Sequence, residues 1–201
     1  MAIQAKTYHR EDLRGDLLRA GRAYIAEHGH HSLSVRTLAQ LVGVSSGAPY
    51  HHFKDRRALL LALALDGYAE ITQAAADATA TGNPREKLIC LGMQFVDFAT
   101  RSPQLLELMY ESELTSPAPD PALVVFQDLG HETLVAPVRE ALAGFAEEII
   151  EVRVLALWST VYGFASLRRK HMIQKVEPRD LRRDEVTRQV VTVAVDAALQ
   201  R

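Results

Sequence analysis

The stretch from Ser34 to Leu60, S-V-R-T-L-A-Q-L-V-G-V-S-S-G-A-P-Y-H-H-F-K-D-R-R-A-L-L, leaves the chain few ways to fold. Ser34 stands just ahead of an apolar-periodic run, Val35, Leu38, Leu41 and Val42, where its hydroxyl can cap the free amides of a new helix. Gly43 supplies the left-handed backbone that closes such a helix, and Val44 behind it is placed to drop into a core. Ser45 or Ser46 then restarts the chain as an N-cap, which predicts a second helix from about Ser46 to His52 with Ala48 and Phe53 buried. Pro49 in its first turn lacks only an N–H that would have no helical partner there. Asp55 caps a third helix, and Lys54, Arg56 and Arg57 put three cations at an N-terminus whose dipole already favours a phosphate. Two short helices joined by a glycine turn and followed by a third are the helix-turn-helix arrangement.

Outside its apolar positions the second helix presents Ser46, Gly47, Tyr50, His51 and His52, small, aromatic or hydrogen-bonding groups with no acid among them. A helix lying against phosphates and base edges needs such a face. With Arg36, Thr37, Ser45, Lys54 and Arg56 around it, this makes a candidate DNA-contact set. The charge distribution agrees. The chain carries a formal charge of −2, yet residues 1–60 hold nine Lys/Arg against five Asp/Glu and residues 61–201 fourteen against twenty. A basic end on an acidic body implies a polyanion partner for that end alone.

The pattern Ala39, Gly43-Val44-Ser45, Tyr50, Phe53, a basic residue at Arg56 and Leu59 resembles the DNA-binding domain of the TetR family of bacterial transcriptional repressors, over about a quarter of the chain. Arg56 replaces the family's usual lysine and keeps its charge. The resemblance implies a homodimer on a palindromic operator, one recognition helix per subunit in successive major grooves, with Tyr50 and His51 against the DNA backbone. The segment Leu157–Leu167 resembles the Trp-His-Gly signature in the C-terminal domain of a TetR subgroup, with Tyr162 where histidine is usual.

Along the chain, Lys6, His9 and Arg10 sit in an N-terminal arm that could touch the DNA backbone. A first helix is expected from about Glu11 to His28, stopped by Gly29, with Leu13, Leu17, Ala20, Tyr24 and Ile25 on one face. The helix opened by Asp55 continues to about Ala80, on the order of 35–40 Å, long enough to link two units mechanically. Further helices follow from Pro84 to about Ser102, from Pro103 to about Glu111, from Ala122 to about Gly144 with a kink or break at Pro137, from Glu147 to His171, and from an Asp184 cap to Leu199. The chain therefore reads as all-α: a three-helix DNA-binding domain over 1–54, a linking helix over about 55–80, and a helical ligand-binding and dimerisation domain over 81–201. The last two long helices carry apolar residues on more than one face, so they are expected to pair with their copies as a four-helix bundle, with Ala165 and Val195 at the contact.

One cysteine, Cys90, excludes an internal disulfide framework, and the polar N-terminus lacks the apolar core of a signal peptide. The least charged run, Val154–Leu167, is shorter than the roughly 18–20 apolar residues that span a bilayer. A cytoplasmic protein without a membrane partner is expected. His30-His31 and His51-His52 are adjacent pairs, whereas helix-borne metal ligands want a spacing of three or four, so no metal site is expected. No Ser/His/Asp grouping, phosphate loop or carboxylate pair points to an enzyme, and no cofactor is implied. Phe95, Met109, Tyr110, Phe126, Trp158 and Tyr162 are the candidates for lining a ligand cavity. Only Tyr110, Glu111, Gln127, His131, Ser159 and Tyr162 are at hand to orient a guest, which points to a small hydrophobic ligand. The function expected is a DNA-binding transcriptional regulator, a repressor released from its operator by that ligand. The alternative is a ligand-independent helical DNA-binding protein controlled by a protein partner.

Overall fold

The computed structural model describes residues 12–79, 82–178 and 180–200, the side chains of 77–79 excepted; the basic residues of the expected N-terminal arm lie outside them. Among the described residues eight α-helices follow one another: α1 (Leu13–His28), α2 (Val35–Val42), α3 (Arg56–Thr79), α4 (Pro84–Arg101), α5 (Pro103–Tyr110), α6 (Pro121–Ala141), α7 (Glu147–Arg169) and α8 (Arg183–Leu199). There is no strand among the described residues.

The local chemistry explains most of the boundaries. Asp12 accepts from the Gly15 amide at 3.0 Å and opens α1. Ser34 accepts from Thr37 N at 3.0 Å and opens α2. Gly43 ends α2 at φ 74°, ψ 31°, which lets Val44 N donate back to the Ala39 carbonyl at 3.0 Å. Asp55 caps α3 through Ala58 N at 2.7 Å. Asn83 and Glu86 cap α4 reciprocally, each side chain accepting from the other's amide.

Four boundaries and one face differ from the sequence reading. The expected helix from Ser46 is a single 3₁₀ turn, Ala48–His51, since Pro49 gives no amide and the bonds that form are Ala48 N to Ser45 O and Tyr50 N to Gly47 O. Leu41, placed on the buried face of α2, is 54% exposed, and Ala39 takes the core position. Helix α6 continues through the buried Pro137, so of the expected kink or break the break is absent, and it ends at Ala141, short of the expected Gly144. Helix α7 stops at Arg169 because His171 turns left-handed, φ 57°, where Met172 N reaches back to the Leu167 carbonyl. Helix α8 begins a residue before Asp184, which pairs with Arg182 at 2.7 Å rather than capping.

Packing is organised by α3 and α4. The first half of α3 buries Leu59, Leu60 and Leu63 in one core with Leu17 and Ile25 of α1 and Leu38 of α2, while Tyr68 and Ala75 further along belong to the C-terminal half. Helix α4 lies against α3, α6, α7 and α8. It approaches α8 at Gly92, where a β-carbon would stand 2.6 Å from Val191 Cγ1. Helix α7 is long and apolar enough, by length and composition alone, to cross a membrane, but it packs on α4, α6 and α8 as a core helix.

Candidate functional site

The candidate DNA face is built by α2, the loop 43–47 and the 3₁₀ turn. Phe53 and Pro49 anchor that turn from below and are buried. Above them Arg36, Ser45, Ser46, Gly47, Tyr50, His51 and Lys54 are all exposed, Tyr50 by 51%. Among the described residues neither Arg36 nor Lys54 has an ion-pair partner, so both charges are open to solvent. Thr37 is half-buried, its hydroxyl 2.7 Å from that of Ser34, and so belongs partly to the α2 cap.

Arg56 is taken up elsewhere. Its Nε donates to Leu33 O at 2.9 Å, its Nη2 to His30 O at 2.9 Å and to His31 O at 3.1 Å, and its Nη1 pairs with Glu113. Arg57 beside it donates to Glu113 O at 2.9 Å and to Asp120 Oδ2 at 3.0 Å. Together these two arginines tie the start of α3 both to the α1–α2 loop and to the segment after α5. Arg22 of α1 adds a clamp further up α3, to Asp66 at 2.7 Å and to Glu70.

In the other half a cavity of about 450 Å³ opens between α3, α4, α5, α6 and α7. Four of the six expected residues line it: Phe95, Tyr110, Phe126 and Trp158. Met109 does not, because it is fully buried behind the wall and packs under Gly67, where a β-carbon would meet its sulfur at 2.7 Å. Tyr162 stands one ring away, 5.4 Å from Tyr110 between centroids, and its hydroxyl donates to Glu111 Oε1 at 3.2 Å. Glu111 in turn pairs with Arg169 at 2.6 Å and Lys170 at 3.1 Å, so it serves a surface cluster rather than a guest. Of the expected polar groups, Tyr110, Gln127 and His131 reach the cavity; Glu111, Ser159 and Tyr162 do not.

Sequence reasoning missed the α3 side of the wall, Tyr68, Ile71, Thr72 and Ala75. Their spacing of three, one and three is one helical face, a periodicity that a linking rod and a cavity wall share. Burial pushes the Tyr68 phenol up and the Tyr110 phenol well above its ordinary value, so both are neutral donors at the polar corner. Among the described residues no lysine or arginine lines the cavity, and Asp128 is the one carboxylate. Such a site suits an uncharged, largely apolar guest.

Comparison with known proteins places both halves. Residues 17–63 match the bacterial regulatory proteins of the tetR family, and residues 88–193 match a tetracyclin repressor-like C-terminal domain. The HTH-type transcriptional repressor AcnR of Corynebacterium diphtheriae is 41% identical over 64 residues, 32% of this chain and 34% of that one. The chain thus spans about a third of the length of such curated relatives. A protein of unknown function from Rhodococcus sp. RHA1 is similar throughout, with a TM-score of 0.80, 31% identity and 98% of each chain covered. The TetR family transcriptional regulator PfmR of Thermus thermophilus shares the fold at a TM-score of 0.65 and 20% identity, over 89% of this chain and 96% of that one.

Proposed function

The chain belongs to the tetR family of bacterial regulatory proteins, and on that premise we propose that it is a DNA-binding transcriptional repressor released from a palindromic operator by a small, uncharged hydrophobic ligand. The observation that carries the reading is the position of α3. Its first turn is tied by Arg56 to the α1–α2 loop behind the reader and by Arg56 and Arg57 to the segment after α5, and its fourth to sixth turns form one wall of the cavity. A guest that displaces Tyr68 or Ile71 moves the base on which the reader stands. Residues 1–54 then act as the reader, and 81–201 as the sensing and dimerising unit. Arg36, Thr37, Ser45, Ser46, Gly47, Tyr50, His51 and Lys54 meet the DNA, and Arg56 sets the angle at which they do so.

Dimerisation is assigned to α7 and α8. Ile149, Val152, Leu155 and Leu167 of α7 and Val193 of α8 are 40–69% exposed, and Ala156, Ser159 and Gly163 continue the α7 stripe with small residues. Each large side chain contributes about 1.5–3 kcal/mol when fully buried, so a partner helix covering the stripe is strongly favoured. The reading places the protein in the cytoplasm, where chromosomal DNA is, and assigns it no catalytic step. Control by a protein partner without a ligand calls for a solid C-terminal core, and a cavity of about 450 Å³ argues against it.

The test is selection of duplexes from a random pool by the full chain. An inverted repeat should be enriched and bound by two chains about a thousandfold tighter than unrelated DNA. Failure to enrich any sequence would contradict the proposal.

A further inference from the structure

The seam between the reader and the sensing half holds a cluster that the proposed function leaves unused. His30 and His31 lie in the loop between α1 and α2, not on a helix, so the expectation that adjacent imidazoles diverge does not apply. Their ring centroids are 4.1 Å apart, and one ligand atom from each, together with a Glu107 carboxylate oxygen, forms a set within 4.8 Å. Ligand atoms bonded to one tetrahedral Zn²⁺ at about 2.0–2.2 Å stand about 3.3–3.6 Å apart, so the three groups must close by on the order of 1 Å. Rotamer changes of the exposed His31 ring and of the Glu107 carboxylate can supply that movement.

The support around these groups suits ligation. Arg56 Nη2 holds both histidine carbonyls and fixes the loop that presents the rings. Glu107 Oε2 accepts from Arg169 at 3.3 Å, which orients the carboxylate and leaves its other oxygen free. His30 is buried, so the rings are presented from a fixed backbone with His31 on the solvent side. Arg56 and Arg169 oppose a further cation, while Glu113, paired with Arg56, and Glu111, paired with Arg169, offset them.

We propose that His30, His31 and Glu107 bind a divalent first-row transition-metal ion, with water completing the shell, and that this ion pins the α1–α2 loop to α5. Imidazole ligands select such ions over Mg²⁺ and Ca²⁺. Glu107 lies one turn before Tyr110 of the cavity wall, so α5 carries both sites. The metal and the cavity guest are therefore coupled, and the coupling is reciprocal. The metal site stands on its own geometry; only its effect on DNA rests on the proposed function.

The experiment is Zn²⁺ calorimetry on the full chain without DNA, supported by Co²⁺ absorption. One ion per chain is expected, with affinity lowered about tenfold or more in both His31→Ala and Glu107→Gln and unchanged in the control His171→Asn. His31 is exposed, so its variant remains informative even where His30→Ala fails to fold. Operator affinity should then change about fivefold with Zn²⁺ in the unmodified protein and not in Glu107→Gln. Absence of saturable binding at one ion per chain, or an affinity in either ligand variant equal to that of the unmodified protein, would overturn the site. Binding at the site with operator affinity unmoved would overturn the coupling.

Discussion

Tyr50, Lys54 and Arg56 are close in sequence and have different surroundings, and that difference decides what each variant should do. Lys54 is exposed without an ion-pair partner among the described residues, and Tyr50 stands half out of the surface. Lys54→Ala should weaken binding to all duplexes alike and lower the slope of log affinity against log salt by about 1, and Tyr50→Ala should weaken binding with little change in slope. Arg56→Ala should instead cost about 1–3 kcal/mol of folding stability, because three backbone carbonyls and Glu113 lose a charged donor. Anisotropy over a salt series, paired with urea melts, separates the two behaviours; an Arg56→Ala protein of unchanged stability would contradict the assignment. Tyr162 gives a pH test. Its phenol is pushed up from 10.0 to about 12, by burial first and then by Glu111 beside it. A folded-state value raised above the unfolded one contributes stability that is complete below pH 10 and disappears as pH rises towards 12. Denaturation midpoints should therefore fall over that interval, and Tyr162→Phe should make the fall shallower, with Tyr110 and Tyr68 supplying what remains. An identical fall in Tyr162→Phe would show that its phenol does not sense the fold.

Among the elements, those whose ends are written in local chemistry were legible and the others were not. Ser34, Gly43, Asp55 and Asn83 each mark a boundary through a bond to a near neighbour, and the structure has those bonds. The 3₁₀ turn at Ala48–His51 escaped because Pro49 fits the first turn of either helix type, and the missing amide leaves i→i+3 bonds within the turn once Phe53 and Pro49 are seated in the core. The end of α7 escaped because a histidine, not a glycine, takes the left-handed angles there. The apolar excess of α7 and α8 was visible, but its division between core and surface was not. Ala165 and Val195, expected at the contact between copies, are 3% and 0% exposed and belong to the protomer's own core. A charge there should unfold the chain. A charge on the exposed stripe, Leu155→Asp or Val152→Asp, should leave the helical signal intact and give monomers by sedimentation at micromolar concentration. A dimer unaffected by both changes would move the interface off α7.

At the scale of the whole molecule, the sequence showed a basic reader and an acidic helical body but not that one helix belongs to both. A rod and a cavity wall have the same helical periodicity. Only the packing of α4, α5, α6 and α7 around Tyr68, Ile71, Thr72 and Ala75 shows α3 to be a wall. The aromatic residues were found more readily because they are large enough to border any cavity in that half, although Met109 and Tyr162 show that size does not place a residue on its surface. The central claim is that occupancy of this cavity and release of DNA are one event. Trp158, the chain's single tryptophan, lines the cavity and reports on it. The direct measurement is a titration of uncharged aromatic compounds into the complex of the protein with its selected, labelled duplex, reading Trp158 emission and DNA anisotropy in the same sample. The account predicts that the two signals move together with one midpoint for any compound that acts. Release of DNA with Trp158 emission unchanged, or saturation of the Trp158 signal with the DNA still bound, would contradict it.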